Sequence, residues 1–303
     1  MKKTFYSNGK LLLTGEYVVL DGAMALALPT KFGQDLIVET GDRQEIQWTS
    51  YDADGSIWFD DTFLFSEIEK KTFFEGQPVK NTLVAILHEA GLMNPNFLKQ
   101  NEGYRISTHL SFPKFWGLGT SSTLINNIAQ WLEIDAFALL KNSFGGSGYD
   151  IACAQNDTPI LYRLDSGKPY VKPIAFEPDC RRHLYFVYLN QKQSSKNAIA
   201  SYQQKRTAVD NIILQTDKIT TALLQTNDGF SFQSLLQEHE EILSALLELP
   251  TVKEKLFPDF QGTLKSLGAW GGDFILAYSK EDPTIYFQEK GFHTVIPYAD
   301  MIL

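Results

Sequence analysis

The chain has 303 residues, 44% hydrophobic and 21% charged, with 36 acidic against 27 basic side chains and a formal net charge of −9. This length accommodates two domains of ordinary size, each with its own core, and the composition is globular. The acidic balance argues against nucleic acid or an anionic membrane as a main partner, while a local basic site for a phosphorylated ligand stays open.

No apolar run reaches the length of a membrane span, and the start MKKTFYSNGKLLLTG resembles a signal peptide only superficially, because its apolar stretch is short and Glu16 interrupts it. Cys153 and Cys180 show no CxxC spacing, which suits a reducing compartment. The five histidines are scattered without zinc-ligand spacing.

In chain order, residues 10–20 and 23–28 read as apolar strands around the turn Asp21-Gly22, a hairpin signal. Short strands are expected over 36–39, 45–48 and 56–59. Residues 81–89 are apolar at helical spacing and stop near Gly91, and 104–110 alternate as a strand. Residues 113–131, PKFWGLGTSSTLINNIAQW, form a hydroxyl-rich turn between glycines that feeds an amphipathic helix with Leu124, Ile128 and Trp131 or Leu132 on its core face. Beyond Asp165 the stretch SGKPYVKPIAFEPD, rich in proline and glycine, reads as the interdomain crossing. A strand over 183–189 leads through NQKQSSKNAIASY into a long helical stretch ending near Leu224. Helices over 232–247 and 252–256, a strand over 274–278 and another near the end complete the chain. This order of mixed elements predicts two α+β domains rather than one doubly wound sheet.

Four segments carry chemical signals. In GLGTSST the glycines permit close backbone approach to a ligand, and the first turn of the following helix offers unpaired N–H groups and the positive end of the helix dipole. Thr120, Ser121, Ser122 and Thr123 add hydroxyls that reach phosphate oxygens or magnesium, whereas a purely structural cap needs only one. Phosphate cradle and capped helix both fit these residues. A Walker A lysine is missing, and Ser122 stands where a dinucleotide fingerprint carries its third glycine, so a nucleotide held here lies outside a Rossmann unit. Segment 7–22, SNGKLLLTGEYVVLDG, holds Lys10 and Glu16 in apolar surroundings; taken alone they read as a snorkelling strand-end lysine and a turn carboxylate. Segment 144–154, FGGSGYDIACA, sets Asp150 behind Gly145-Gly146-Ser147-Gly148, where an isolated aspartate reads as a helix cap. Segment 267–277, LGAWGGDFILA, reads as a tight turn before a buried strand.

Taken together and in order, these segments resemble the GHMP kinase superfamily over nearly the whole chain. GKLLLTGEYVVLDG and GAWGGD are similar to the mevalonate and phosphomevalonate kinase branches, and SGYDIA to the phosphomevalonate form. The resemblance implies an α+β, two-domain GHMP kinase-like fold. Residues 1–175 would form an ATP-binding domain of the ribosomal protein S5 domain 2 type, and residues 176–303 a ferredoxin-like domain contributing to the acceptor site. It implies transfer of the γ-phosphoryl group of ATP to mevalonate or phosphomevalonate, with ATP and Mg2+ as cofactors. The expected partner is a small-molecule acceptor bearing a hydroxyl or phosphate, with no nucleic acid and no membrane, in a cytoplasmic protein compatible with a homodimer. By position, Gly117, Leu118, Gly119, Thr120, Ser121 and Ser122 would wrap the β- and γ-phosphates, with Ser121 on magnesium. Asp150 would accept or orient the acceptor proton, and Lys10 would supply positive charge near the transferred group. Gly268, Gly271 and Gly272 would shape the third motif, and Glu16, Ser147, Lys192, Ser194 and Ser195 would face the acceptor.

Two departures from the family pattern stand out. Mevalonate kinases carry a magnesium-binding glutamate about three helical turns before the catalytic aspartate, and here that stretch is FALLKNSFGG, leaving fewer protein ligands or a substitute among Glu133, Asp135 and Glu16. Trp270 occupies a glycine position of the third motif, where it narrows the acceptor pocket or packs as a core aromatic. A sugar or amino-alcohol kinase, a diphosphomevalonate decarboxylase and a non-catalytic nucleotide or metabolite sensor remain alternative readings.

Overall fold

The computed structural model describes residues 2–99, 102–191, 195–205, 209–226, 228–270 and 272–303, except for the side chains of 195–197 and 205. The chain divides into two compact units that interleave in sequence. The first takes 1–9, 32–114 and 118–155, and the second takes 10–31, 115–117 and 156–303.

The leading elements are β1 (Lys2–Thr14), β2 (Ala25–Thr40), β3 (Glu45–Tyr51), β4 (Ile57–Leu64), α1 (Phe65–Glu69), α2 (Pro78–Met93), β5 (Tyr104–Leu110), α3 (Thr120–Leu132), α4 (Ala136–Ser143) and α5 (Tyr149–Ala154). They are followed by β6 (Ile160–Asp165), β7 (Lys168–Pro173), β8 (Leu184–Tyr188), α6 (Ser195–Lys205), α7 (Asp210–Gln225), α8 (Gly229–Leu247), α9 (Val252–Leu256), β9 (Thr263–Ser266), β10 (Phe274–Tyr278), α10 (Thr284–Glu289), β11 (Val295–Pro297) and α11 (Tyr298–Met301). The architecture is α+β, as the order of elements predicts.

In the first unit β3 pairs with β4 antiparallel and with β5 parallel, and β5 pairs antiparallel with Gln34–Thr40 of β2. Alternation along these strands sends Leu36, Val38, Ile46, Trp48 and Ile106 to one face, where α2, α3 and α4 cover them in a single core. The apolar stripe of α3 holds: Ile128, Trp131 and Leu132 are buried, joined by Ile125 and Ala129, while Leu124 packs half-buried at the edge. The opposite, polar side of α3 is buried as well. Asn127 accepts from Ser7 Oγ (2.7 Å) and donates to Gln34 O (2.9 Å), while Asn126 donates to Ser7 Oγ (2.8 Å) and accepts from Gln155 Nε2 (2.9 Å). These bonds hold α3 rigidly, because each interior amide would otherwise be left unsatisfied.

In the second unit Ala25–Ala27 of β2 pairs with β6, which pairs with β7, and a four-stranded antiparallel sheet runs β11-β8-β10-β9. Its central strand β10 is buried at every residue, hence the unbroken run FILAY. The stretch read as an interdomain crossing contains strand β7, inside the second unit. Ser166 (φ 51°) and Gly167 (φ 77°) turn β6 into β7, since two successive positive φ angles suit a tight hairpin, and Pro169 and Pro173 are tolerated on a sheet edge. The strand expected over 10–20 also ends early. β1 stops at Thr14, Gly15 and Tyr17 adopt φ of 89° and 63°, and Val18–Asp21 form a 3-10 turn before Gly22. Among the described residues no helix is long and apolar enough to cross a membrane.

Candidate functional site

The hydroxyl-rich turn opens α3 as an unprotected helix end. Leu118 is fully buried and anchors the loop, and Gly119 takes the left-handed conformation (φ 99°) from which the thirteen-residue helix starts. Its N-cap residue is a glycine and supplies no side-chain cap. A helix start of this kind carries backbone donors and a positive pole. The hydroxyls divide by task. Thr123 bonds to Gln34 Oε1 at 2.7 Å inside the core, and Ser122, also buried, donates to Asp150 Oδ2 at 3.2 Å. Ser121 is half-buried and bonds to none of the described residues, leaving its hydroxyl for a ligand.

Asp150 lies in the first turn of α5, behind Gly145 (φ 79°), Gly146 (φ 109°) and Gly148 (φ 90°). Gly148, not Asp150, occupies the N-cap position, and the Asp150 carboxylate turns to Ser122. A carboxylate is thus held against the first turn of α3, all within the first unit. Ser147 sits half-buried in the same loop.

The second unit places Lys10 within β1, its half-buried side chain donating from Nζ to Gly117 O at 3.3 Å. Gly117 has φ 71°, and a Cβ there would lie 2.3 Å from Asp273 Cγ, so glycine is demanded twice over. Asp273, nine-tenths buried, is a functional candidate that the sequence reading missed. It closes the GAWGGD segment and itself adopts φ 53°, a conformation aspartate tolerates better than most side chains. Its N–H donates to Gln191 O (2.7 Å) and its carbonyl accepts from Leu189 N (2.8 Å), fixing the turn on the end of β8. Gly268 (φ 66°) borders open space, Gly272 is buried, and Gly271 lies outside the described residues. Trp270 packs half-buried against a cluster with Tyr17, Val18 and Tyr202, its indole N–H on Pro250 O (3.2 Å) and its backbone N–H on the Tyr17 hydroxyl (2.9 Å). Burial pushes the Tyr17 hydroxyl up to about 12, so it stays protonated.

Glu16 is not on an open surface. Its carboxylate is buried and receives Lys265 Nζ at 2.5 Å, and Lys265 is itself fully enclosed in β9. Glu240, buried on α8, accepts from Ser266 N and Ser266 Oγ, both at 2.9 Å. Burial raises Glu16 to about 7, with Lys265 pulling against it, and burial likewise raises Glu240. His239 completes the group. Its Nε2 accepts the Gly15 N–H at 3.0 Å and so carries no proton, while burial and then Lys265 hold its pKa well below the usual histidine value. The 3.6 Å approach of His239 Nε2 to Glu16 Oε2 is therefore not an ion pair.

The proposed substitute metal ligands are also accounted for. Asp135 is spent capping α4, accepting from the Phe137 and Ala138 amides, and Glu133 terminates α3, roughly 20 Å along the helix from Thr120. Among the described residues no group of three His, Cys, Asp or Glu could hold a metal by itself. Lys192 and Ser194 lie outside the described residues, as does the side chain of Ser195, whose backbone begins α6.

No protein-family model matches the chain, and no curated protein matches it. Solved structures match over nearly its full length. The mevalonate kinase of Methanococcus jannaschii superposes with a TM-score of 0.68 at 15% identity, covering 97% of this chain and 96% of that one. The phosphomevalonate kinase of Streptococcus pneumoniae, in complex with phosphomevalonate and AMPPNP, gives 0.65 at 17% identity over 99% and 98%. The galactokinase of Lactococcus lactis, complexed with galactose, gives 0.68 at 13% identity over 95% and 88%. The chain has the fold shared by these GHMP kinases.

Proposed function

We propose that this protein is an ATP-dependent phosphotransferase acting on a small molecule, with mevalonate or phosphomevalonate as the acceptor. One observation carries the reading: an uncapped helix N-terminus, opened by a left-handed glycine, has a carboxylate, Asp150, bonded to its first-turn Ser122. Phosphoryl transfer depends mainly on positioning and charge neutralisation, and an anion cradle beside a proton acceptor meets the central part of that need.

The residues fit a nucleoside triphosphate. The amides of Thr120, Ser121 and Ser122 would receive phosphate oxygens, and the Ser121 hydroxyl is uncommitted. Ser121 would hold Mg2+ together with the phosphates, and the ion would supply charge neutralisation at the transferred group. Asp150 would orient the acceptor hydroxyl and take its proton as the new bond forms. Ser122, donating to Asp150 Oδ2, fixes the carboxylate rotamer. Lys10, tethered to Gly117 O, would place a positive charge beside the transferred group.

The likeness of the GKLLLTGEYVVLDG and SGYDIA segments to mevalonate-pathway kinases supports the acceptor assignment. A sugar acceptor is the second reading, supported by the comparable structural likeness to galactokinase. The test is conversion of ATP to ADP with Mg2+ against mevalonate, phosphomevalonate, diphosphomevalonate, galactose and homoserine, identifying the phosphorylated product and any carbon dioxide. Turnover with mevalonate or phosphomevalonate is expected. Turnover with galactose alone would replace the acceptor, and nucleotide binding with no turnover on any acceptor would overturn the catalytic reading.

A further inference from the structure

In the second unit the turn that follows β1 meets α8 at a single nitrogen. His239 Nε2, buried on α8, accepts the Gly15 N–H at 3.0 Å. A neutral imidazole has one lone-pair nitrogen, so the ring proton is on Nδ1, which bonds to none of the described residues. The same Nε2 lies 3.6 Å from Glu16 Oε2, an enclosed carboxylate oxygen that also has no hydrogen bond among them, while Oε1 is taken by Lys265. One lone pair thus has two neighbours: a backbone amide that uses it, and a carboxylate oxygen that has no proton to give it.

The charge count supplies the reason for a proton to enter. Two buried carboxylates, Glu16 and Glu240, accompany one buried ammonium, Lys265, and His239 is neutral, so the group carries a net negative charge until it takes up one proton. Ser266 donates to both Glu240 oxygens and Lys265 holds Glu16 Oε1, which leaves Glu16 Oε2 as the carboxylate oxygen of the group with no donor among the described residues. Burial raises Glu16 to about 7, with Lys265 opposing it, and raises Glu240 as well. The remaining ionisable neighbours are committed. Asp217 on α7 is bound to Arg163 and to the Met24 N–H, and the Tyr17 hydroxyl, raised by burial and further by Glu16 and Asp273, stays protonated. A proton on Glu16 Oε2 makes an O–H donor beside the His239 lone pair, and a proton on Nε2 makes an imidazolium that donates to Oε2. Either arrangement takes the acceptor from Gly15.

We propose that Glu16 and His239 form a proton-operated latch on the Gly15–Tyr17 turn: one proton from solvent, shared between Glu16 Oε2 and His239 Nε2, displaces the Gly15 N–H and releases the turn. The turn is strained in its latched form. Gly15 has φ 89°, with a Cβ position only 2.9 Å from Ala25 Cα, and Tyr17 has φ 63°, an outlying value for a bulky side chain. The Tyr17 hydroxyl accepts the Trp270 N–H at 2.9 Å, so release of the turn is passed to the GAWGGD segment. The latch needs only these residues and is independent of the phosphotransferase reading.

The test is hydrogen exchange of the Gly15 amide in the full-length protein, read by NMR at pH 8 and pH 6 and corrected for the intrinsic pH dependence of exchange. The Leu26 amide is the internal reference, since it is bonded to Thr14 Oγ1 at 3.1 Å, next to Gly15 but outside the latch. Gly15 protection should fall about five- to tenfold from pH 8 to pH 6 while that of Leu26 stays constant. Glu16→Gln sets a carboxamide N–H donor where the proton would sit and should give the low Gly15 protection at both pH values. His239→Gln supplies a carboxamide oxygen, whose two lone pairs accept from Gly15 and from a protonated Glu16 together, and should keep the high protection at both. Equal Gly15 protection at the two pH values in the parent, a parallel loss at Leu26, or a pH step that persists in either variant would each overturn the proposal.

Discussion

Replacing Lys265 by methionine isolates the energetics of the buried charge group. The substitution keeps the side-chain volume and removes the ammonium that holds Glu16 at 2.5 Å and also donates to Ser266 O at 2.8 Å. Breaking a buried pair from one side costs about 3 to 5 kcal/mol, and that loss is expected near pH 8. The deficit should also depend on pH, with a determinate sign. Glu16 has a folded pKa of about 7 against 4.5 for the free side chain, because burial outweighs the lysine. The folded state therefore takes up a proton before the unfolded state, and Glu16 opposes folding most above pH 7, by about 3 kcal/mol, with relief as pH falls toward 4.5. Without Lys265 the carboxyl is protonated in the folded state even at pH 8, and the uptake penalty reaches about 5 kcal/mol; at pH 5.5 both proteins carry the same penalty of about 1.4 kcal/mol. The variant should accordingly recover at least about 1.4 kcal/mol relative to the parent between pH 8 and pH 5.5. Glu240, also raised by burial, adds a contribution of the same sign. Urea unfolding of both proteins at the two pH values measures this. An equal deficit at both would refute the reading that Lys265 acts chiefly by compensating buried carboxylates.

The site makes three further predictions. Asp150→Asn should lower transfer at least about a hundredfold while nucleotide affinity, measured by calorimetry, changes little; retained turnover would remove Asp150 from the reaction. Ser122→Ala frees the Asp150 carboxylate from its 3.2 Å bond and should lower kcat about tenfold at unchanged nucleotide affinity, whereas Ser121→Ala should weaken magnesium-dependent nucleotide binding; identical kinetic defects in the two variants would contradict the division of the hydroxyls. Gly117→Ala forces a Cβ onto Asp273 at φ 71° and should destabilise the protein by about 1 to 2 kcal/mol or more, with Asp273→Gly in the same background restoring only the steric part; an unchanged thermal midpoint would show that this contact is absent in solution.

Much of the fold was legible because its determinants are local. Residues 104–110, 252–256 and 274–278 were read with the bounds that β5, α9 and β10 adopt, since alternation, a Thr251/Glu254 capping box and an unbroken apolar run are all written within a few positions. Misreadings followed where tertiary contact overrode a local signal or where a local cap was passed over. Gly91 suggested the end of α2, yet the helix continues to Met93, and Gly91 is a packing position where a Cβ would meet Leu98 Cδ1 at 3.2 Å. The helix expected from 232 begins at Gly229, because Asp228 accepts from the Phe230 and Ser231 amides, a cap that was present in the sequence and overlooked. The burial of the polar face of α3 rests on Ser7 and Gln34, over a hundred and about ninety positions away, which pair with Asn126 and Asn127.

The candidate site divides the same way. The turn around Ser121 and the loop before Asp150 announce themselves through glycines and hydroxyls in short runs, and their meeting at 3.2 Å joins positions only 28 apart. Glu16 and Lys265 are 249 positions apart, and a glutamate in a glycine-flanked turn reads identically whether it faces a ligand or an internal ammonium. A signal was nevertheless available in β9, where Thr263, Leu264, Lys265 and Ser266 lie against the apolar β10. Lysine is almost never fully buried without a partner, so a lysine in a strand flanked by an unbroken apolar strand demands an interior carboxylate. The acidic residues that could meet that demand must themselves sit in apolar runs, as Glu16 does in LLLTGEYVVL. Charge neutrality in the interior thus constrains remote residues jointly, and it separates a carboxylate that belongs to the core from one, such as Asp150, whose loop leaves it bonded to the first turn of α3.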